Sequence, residues 1–173
     1  KQPSLHIQDL KIDTDINLDT NKSVLSCVCK MSSNEPHTLQ AKLYDPQGNI
    51  VWNGNMQDTF EIPVENTCLW SSEFPNLYQL QLVLYDTNNE IIESIQEQVG
   101  FRKFTLEYGI MKLNGKRIVF HGINRHEWDS KTGRRLSQDQ MEEDIHMLKS
   151  LNINAIRTSH YPNKSYWYKL CDQ

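Results

Sequence analysis

The sequence predicts a mainly β chain, an immunoglobulin-like antiparallel β-sandwich followed by an incomplete βαβ piece. Three observations carry that expectation. Up to about residue 98, apolar and polar residues alternate with period two over short runs. Turn-forming clusters separate those runs at short intervals. Beyond residue 99 the period changes, and a strand–helix–strand order spans residues 117–158.

Residues 1–98 are expected to form the sandwich and residues 99–173 a second, truncated domain. Leu25, Cys27, Cys29 and Met31 share one phase of the run Val24–Met31. Leu39, Ala41 and Leu43 alternate with Gln40, Lys42 and Tyr44. Ile50 and Trp52 alternate between the turn signals Asp45-Pro46-Gln47-Gly48-Asn49 and Asn53-Gly54-Asn55. Tyr78, Leu80, Leu82 and Leu84 share one face, with Gln79 and Gln81 on the other. A turn over Asp86–Asn89 leads into a strand over Ile91–Val99. About seven strands are expected in this half, which suits a two-sheet sandwich. The disulfide and Trp spacing of antibody domains is not evident, so the prediction stops at the architecture.

In the second half, Phe104–Leu106 and Ile110–Leu113 read as short strands. Asn114-Gly115 is a hairpin signal, followed by a strand over Arg117–Phe120. Ser137 and Gln140 have capping-box spacing. Met141, Ile145 and Leu148 follow at i, i+4, i+7, joined by Met147 and Leu151, so a helix is expected over about 138–151. Asn152-Ile153-Asn154 stops it, Ala155–Thr158 is a strand, and another helix begins near Ser165. Parallel strands joined by a helix place both carboxyl ends at one sheet edge. Gly122-Ile123-Asn124-Arg125-His126 follows the first strand, and Arg157-Thr158-Ser159-His160-Tyr161 ends the second. His126, His160 and Arg157 are thereby gathered where α/β and barrel proteins place their chemistry.

Composition narrows the partners. A net charge of -4 and a pI of about 5.9 argue against nucleic acid and anionic lipid. No apolar run approaches the ~20 residues of a membrane helix. Cys27, Cys29, Cys68 and Cys171 fit no zinc spacing and are expected as reduced thiols, with a bridge from Cys27 or Cys29 to Cys68 as the alternative. No charged-then-apolar leader opens the chain, and a cytoplasmic location is expected.

Several chemistries are conceivable for the residues at the sheet edge. His126 and His160 would need Glu127 or Asp129 to complete a metal site; HxxxH and HxH spacings are missing, and no metal site is expected. Ser159 and His160 are neighbours on a strand and point to opposite faces, so they form no nucleophile–base dyad. Glycoside hydrolysis needs two carboxyls flanking one bond, and nothing sets Glu127 and Asp129 in that relation. His126 has an alternative reading, as a loop histidine bonded to nearby backbone. Arg157, inside a short apolar strand, is expected to need an acidic partner, in this chain or beyond it. Pro162 closes the strand and Tyr161 packs. Trp167 and Tyr168 read as helix packing, with sugar stacking as the alternative.

The segment Asn154-Ala-Ile-Arg157-Thr-Ser-His160-Tyr-Pro162 resembles the first signature of glycoside hydrolase family 2. Val99-Gly100-Phe101-Arg102 is similar to that family's junction between sandwich and barrel. Leu113-Asn114-Gly115-Lys116 and Gly122-Ile123-Asn124-Arg125-His126-Glu127 resemble its first barrel hairpin and strand. The Asn-Arg-His-Glu form and the stretch Trp167–Asp172 are most similar to LacZ-type β-galactosidases. Lys116–Gly122 resembles the large subunit of the two-chain lactobacillal enzymes. The resemblance is strong over residues 99–173; over 1–98 only the strand pattern agrees.

The resemblance implies that residues 99–173 open a (β/α)8 TIM barrel. It implies a retaining β-galactosidase acting on terminal β-D-galactosyl residues, with His126 and His160 contacting the galactose unit. It implies that Arg157 supports the catalytic carboxylate. The acid/base and nucleophile glutamates and the Mg²⁺ ligands are expected beyond Gln173, so no catalytic, metal or cofactor residue is assigned in this chain. Mg²⁺, with Na⁺ as a second ion, is implied for the full-length family, as is an oligomer or two-chain assembly. Two strands cannot close an eight-stranded barrel, and the chain stops inside a helix; it is expected to be an inactive piece of a longer enzyme. β-Glucuronidases share Arg-Thr-Ser-His-Tyr-Pro but not Asn-Arg-His-Glu, and remain the alternative within the family. A sandwich module that mediates chain assembly is the non-catalytic alternative.

Overall fold

The computed structural model describes residues 3–173. Seven strands come first: β1 (Ile7–Asn17), β2 (Lys22–Met31), β3 (Thr38–Tyr44), β4 (Ile50–Met56), β5 (Thr59–Glu65), β6 (Tyr78–Tyr85) and β7 (Ile91–Val99). They form two antiparallel sheets, in the orders β1-β2-β5 and β4-β3-β6-β7. Period-two alternation sends one face of each sheet into a shared core. Leu25, Cys27 and Cys29 of β2, Leu39, Ala41 and Leu43 of β3, and Tyr78, Leu80, Leu82 and Leu84 of β6 are buried there. These are the faces that the alternation selects.

Two of the strands, β1 and β5, have a weakened strand signal in sequence, each for a physical reason. In β1, Leu10, Ile12 and Ile16 are diluted by Asp9, Lys11, Asp13 and Asp15. In β5, Phe60, Ile62 and Val64 face the core, but Pro63 interrupts the run. Pro cannot donate to a ladder and is confined to edges, and β5 lies at the edge of its sheet. In β4, Ile50 is exposed rather than inward; the register slips between Leu43 and Tyr44, where Ile50 pairs. All four cysteines are free, so the alternative bridge to Cys68 is not formed. Burial pushes the Cys27 thiol up to about 12 and the Cys29 thiol to about 11, the latter helped by the Asp58 carboxylate.

One end of the sandwich is latched by His37. Its Nδ1 lies 2.8 Å from the Glu35 carbonyl oxygen and its Nε2 2.8 Å from Asp58 Oδ1. Both partners are acceptors, and a neutral imidazole has only one N–H. The geometry therefore suits the imidazolium, and the Glu35 carbonyl, followed by the Asp58 carboxylate, raises the His37 pKa above 6.5 against partial burial. The latch ties the approach to β3 to the β4–β5 connection, where the chain passes between sheets. A raised folded-state pKa gives stability that is full below the unfolded value and lost as pH rises through the folded one. The melting temperature of the chain should therefore decline as pH rises from 6.5 through the folded pKa, and His37→Gln should flatten that decline. Equal slopes in the two proteins would show that the latch contributes nothing.

Beyond the sandwich, β8 (Phe104–Glu107), β9 (Ile110–Leu113) and β10 (Lys116–Arg117) form a small antiparallel sheet. The remaining elements are β11 (Gly122–Arg125), α1 (Gln138–Ser150), β12 (Ala155–Thr158) and α2 (Ser165–Asp172). The strand expected over Arg117–Phe120 is not the parallel one. Lys116 and Arg117 pair with Leu113 and Lys112 across the Asn114-Gly115 turn, so they are the hairpin's return. The parallel partner of β12 is β11. Asn154 joins the two segments: its side chain accepts from His121 N at 2.8 Å and donates to Val119 O at 3.0 Å. Gly122 is needed where the strands meet, because a Cβ there would lie 3.3 Å from the Ala155 carbonyl oxygen.

Helix α1 starts in the expected capping box, Ser137 with Gln140. Met141 and Leu148 are buried with Leu136 and Trp167, and Ile123, Ile145 and Ile156 pack against them. Met147 and Leu151, counted in the apolar stripe, are exposed instead. They lie off the narrow seam that two helices and two strands can cover. Trp70 connects this unit to the sandwich. Its backbone N–H donates to Phe101 O at 2.8 Å, its indole N–H donates to Asp172 O at 2.7 Å, and Arg102 sits 4.8 Å over its ring.

Candidate active site

The site is built on the carboxyl ends of β11 and β12. Their register sets Ile123 beside Ile156, Asn124 beside Arg157 and Arg125 beside Thr158. Alternation sends Ile123 and Arg125 toward the helices and Asn124 to the opposite face. Arg125 is only 6% exposed. Its Nε and Nη2 donate to Asp144 Oδ2 of α1 at 3.0 and 2.7 Å, and its guanidinium lies 3.6 Å over the Trp167 ring of α2. The end of β11 is thus clamped to both helices. Ser159 N donates to Arg125 O at 2.9 Å and prolongs the parallel ladder past β12.

The next residue on each strand end brings the two histidines together. The His126 and His160 rings lie 5.8 Å apart, nearly perpendicular, and both residues are exposed. Among the described residues neither imidazole takes part in a hydrogen bond. The reading of His126 as a loop histidine bonded to nearby backbone therefore has no bond to support it. Tyr161 stands 6.0 Å from His126 on the same rim.

Arg157 departs from expectation. It is exposed, not buried, and its Nη1 reaches Asn124 Oδ1 and Ser159 Oγ, each at 3.4 Å. No acidic partner stands against it among the described residues. The reason is geometric: a two-stranded parallel sheet leaves the face bearing Asn124 and Arg157 open. Ser159 Oγ has Arg157 for its partners rather than a histidine, so no nucleophile–base dyad is present.

Two carboxylates near the edge are engaged elsewhere. Glu127 is 7% exposed; its Oε1 accepts from Lys164 N at 3.4 Å, at the start of α2, which lacks a side-chain N-cap of its own. Asp129 closes its own turn, accepting from Thr132 N at 2.8 Å and Lys131 N at 2.9 Å, and these Thr132 and Lys131 bonds hold its carboxyl below the usual range. Among the described residues no three His, Cys, Asp or Glu side chains gather around a point. Trp167 is buried under Arg125, which is packing, and the Tyr168 hydroxyl accepts from Asn163 N at 3.0 Å. Arg125, Asp144 and Asn124 were not singled out from sequence. The available signal was a charged residue adjacent to His126 on a strand whose alternate positions are apolar.

Comparison with known proteins follows the same division of the chain. The family model described as glycosyl hydrolases family 2 matches residues 5–102, and the one described as its TIM barrel domain matches residues 104–173. A β-galactosidase of Halalkalibacterium halodurans is 42% identical over 99% of this chain and 18% of its own length. A β-galactosidase large subunit of Lactobacillus acidophilus is 34% identical over 99% of this chain and 28% of its own length, so the large-subunit likeness is shared with other β-galactosidases. The chain thus spans about a fifth of the length of the former relative. The crystal structure of a Parabacteroides merdae β-glucuronidase superposes with a TM-score of 0.90 over 98% of this chain and 22% of that one, at 21% identity, a likeness of fold alone. With both halves of the sequence matched, the chain belongs to glycosyl hydrolase family 2.

Proposed function

We propose that this chain is part of a retaining β-galactosidase that hydrolyses terminal β-D-galactosyl residues. The observation that carries the reading is the identity of 42% with a named β-galactosidase over 99% of the chain. The Asn124-Arg125-His126-Glu127 form at the end of β11 supports it. In this reading His126 and His160 present paired imidazoles to the sugar hydroxyls at the rim where a barrel binds substrate. A neutral imidazole donates or accepts one hydrogen bond there. Arg157, open on the inner face, supports a catalytic carboxylate supplied from outside these residues.

The acid/base and the nucleophile are glutamates outside the 173 residues, because Glu127 and Asp129 are committed to α2 and to a turn. In this reading the Mg²⁺ and Na⁺ implied for the full-length family take their ligands from outside these residues. The reading also carries a cytoplasmic location and assembly as an oligomer or with a second chain. Neither nucleic acid nor membrane is a partner in it. β-Glucuronidase is the second reading, kept open by the Arg157-Thr158-Ser159-His160-Tyr161-Pro162 form, which resembles that of those enzymes too. The two separate on the whole protein: nitrophenyl β-galactoside should be cleaved far faster than nitrophenyl β-glucuronide, and the reverse order would replace the first reading by the second.

A further inference from the structure

Neither imidazole at the rim is held by a hydrogen bond of its own among the described residues, so their alignment must come from the backbone that carries them. The chain on either side of His126 is anchored to the segment that carries His160. Before it, Arg125 O accepts from Ser159 N at 2.9 Å. After it, Glu127 N donates to the Tyr161 hydroxyl at 3.1 Å. Tyr161 immediately follows His160, and Glu127 immediately follows His126. A single hydroxyl therefore joins the residue after one histidine to the residue after the other. Arg134 lies 5.0 Å over the Tyr161 ring.

We propose that Tyr161 is a positioning residue of the active site, which sets His126 against His160 through the Glu127 amide. The inference rests on the proposed role of His126 and His160 at the sugar, and on the β-galactosidase reading for the choice of substrate. The parallel ladder alone fixes β11 up to Arg125, and His126 lies one residue past its end. The following turn, in which Trp128 N donates to His126 O at 3.0 Å, pulls the chain away from the strand direction. Without the Tyr161 bond, the Glu127 N–H is left buried without its acceptor and the peptide plane after His126 loses its anchor to the His160 segment. The imidazole pair, 5.8 Å apart, then loses its fixed spacing.

The test is a double-mutant cycle on the whole protein. Tyr161→Phe keeps the ring and removes only the hydroxyl. It should lower kcat by roughly 3- to 10-fold, the worth of one such bond. KM should stay within about twofold, since the loss falls on the transition state. In a His126→Ala background the same substitution should change kcat by less than about twofold, because the residue it positions is gone. A Tyr161→Phe protein with wild-type kcat would overturn the proposal, as would an equal loss in both backgrounds. The cycle is read on whichever nitrophenyl glycoside the protein cleaves. A preference for glucuronide would thus sink the galactosidase reading and leave the Tyr161 result interpretable.

Discussion

Replacing His126 or His160 by Ala in the whole protein is expected to lower kcat/KM by roughly 10- to 150-fold, the range of a hydrogen bond that tightens in the transition state. Both residues are exposed, and neither imidazole is bonded among the described residues, so truncation removes little that holds the fold. The loss should appear in kcat more than in KM if the bonds strengthen as the sugar ring flattens toward the oxocarbenium-like state. The melting temperature should move little. Steady-state kinetics and a thermal melt on both variants check this. Unchanged kcat/KM, or activity lost only in step with melting temperature, would make both histidines structural.

Asp144→Ala is expected to destabilise the βαβ unit markedly. Arg125 is 6% exposed and rests on Trp167, while Asp144 is partly open to solvent. Removing the carboxylate strands the guanidinium, whose Nη1 already lacks a partner. Breaking a fully buried pair from one side costs about 3–5 kcal/mol and losing a surface pair ~0–1 kcal/mol; with Asp144 37% exposed, a loss of about 1–3 kcal/mol is expected. Replacing Arg125 and Asp144 together by Met and Leu should cost less than Asp144→Ala alone, because no charge is left unpaired. Urea unfolding of the three proteins measures the difference. A single-variant loss below about 0.5 kcal/mol would mean that the pair behaves as a surface one.

Legibility in the sequence tracked how directly a residue's neighbours set its surroundings. Leu80, Leu82 and Leu84 alternate without interruption, and all are buried. Ser137 and Gln140 form a cap from four consecutive residues. The register of the parallel pair depended on tertiary contacts. Arg117–Phe120 and Gly122–Arg125 are both short; it is Gly122–Arg125 that pairs with β12, while Asn154 bonds Val119 O and His121 N just before it. Arg157 was read as buried because its strand is apolar in sequence, yet its face has no covering layer in this chain. The nearness of His126 and His160 was legible, since a βαβ unit brings two strand ends to one edge. What holds them there was not. Arg125, Asp144, Trp167, Glu127 and Tyr161 act across separations of 19, 34 and 42 residues, which no local pattern reveals.

The proposed function requires a galactoside site here whose reacting carboxylates come from elsewhere in the protein. Side-by-side turnover of nitrophenyl β-galactoside by the 173-residue chain and by the whole protein distinguishes this from a self-sufficient site. Steady hydrolysis by the whole protein is expected, and none by the chain at high concentration. Turnover that follows the 173-residue chain through two successive columns, or a whole protein inert toward galactosides, would contradict it.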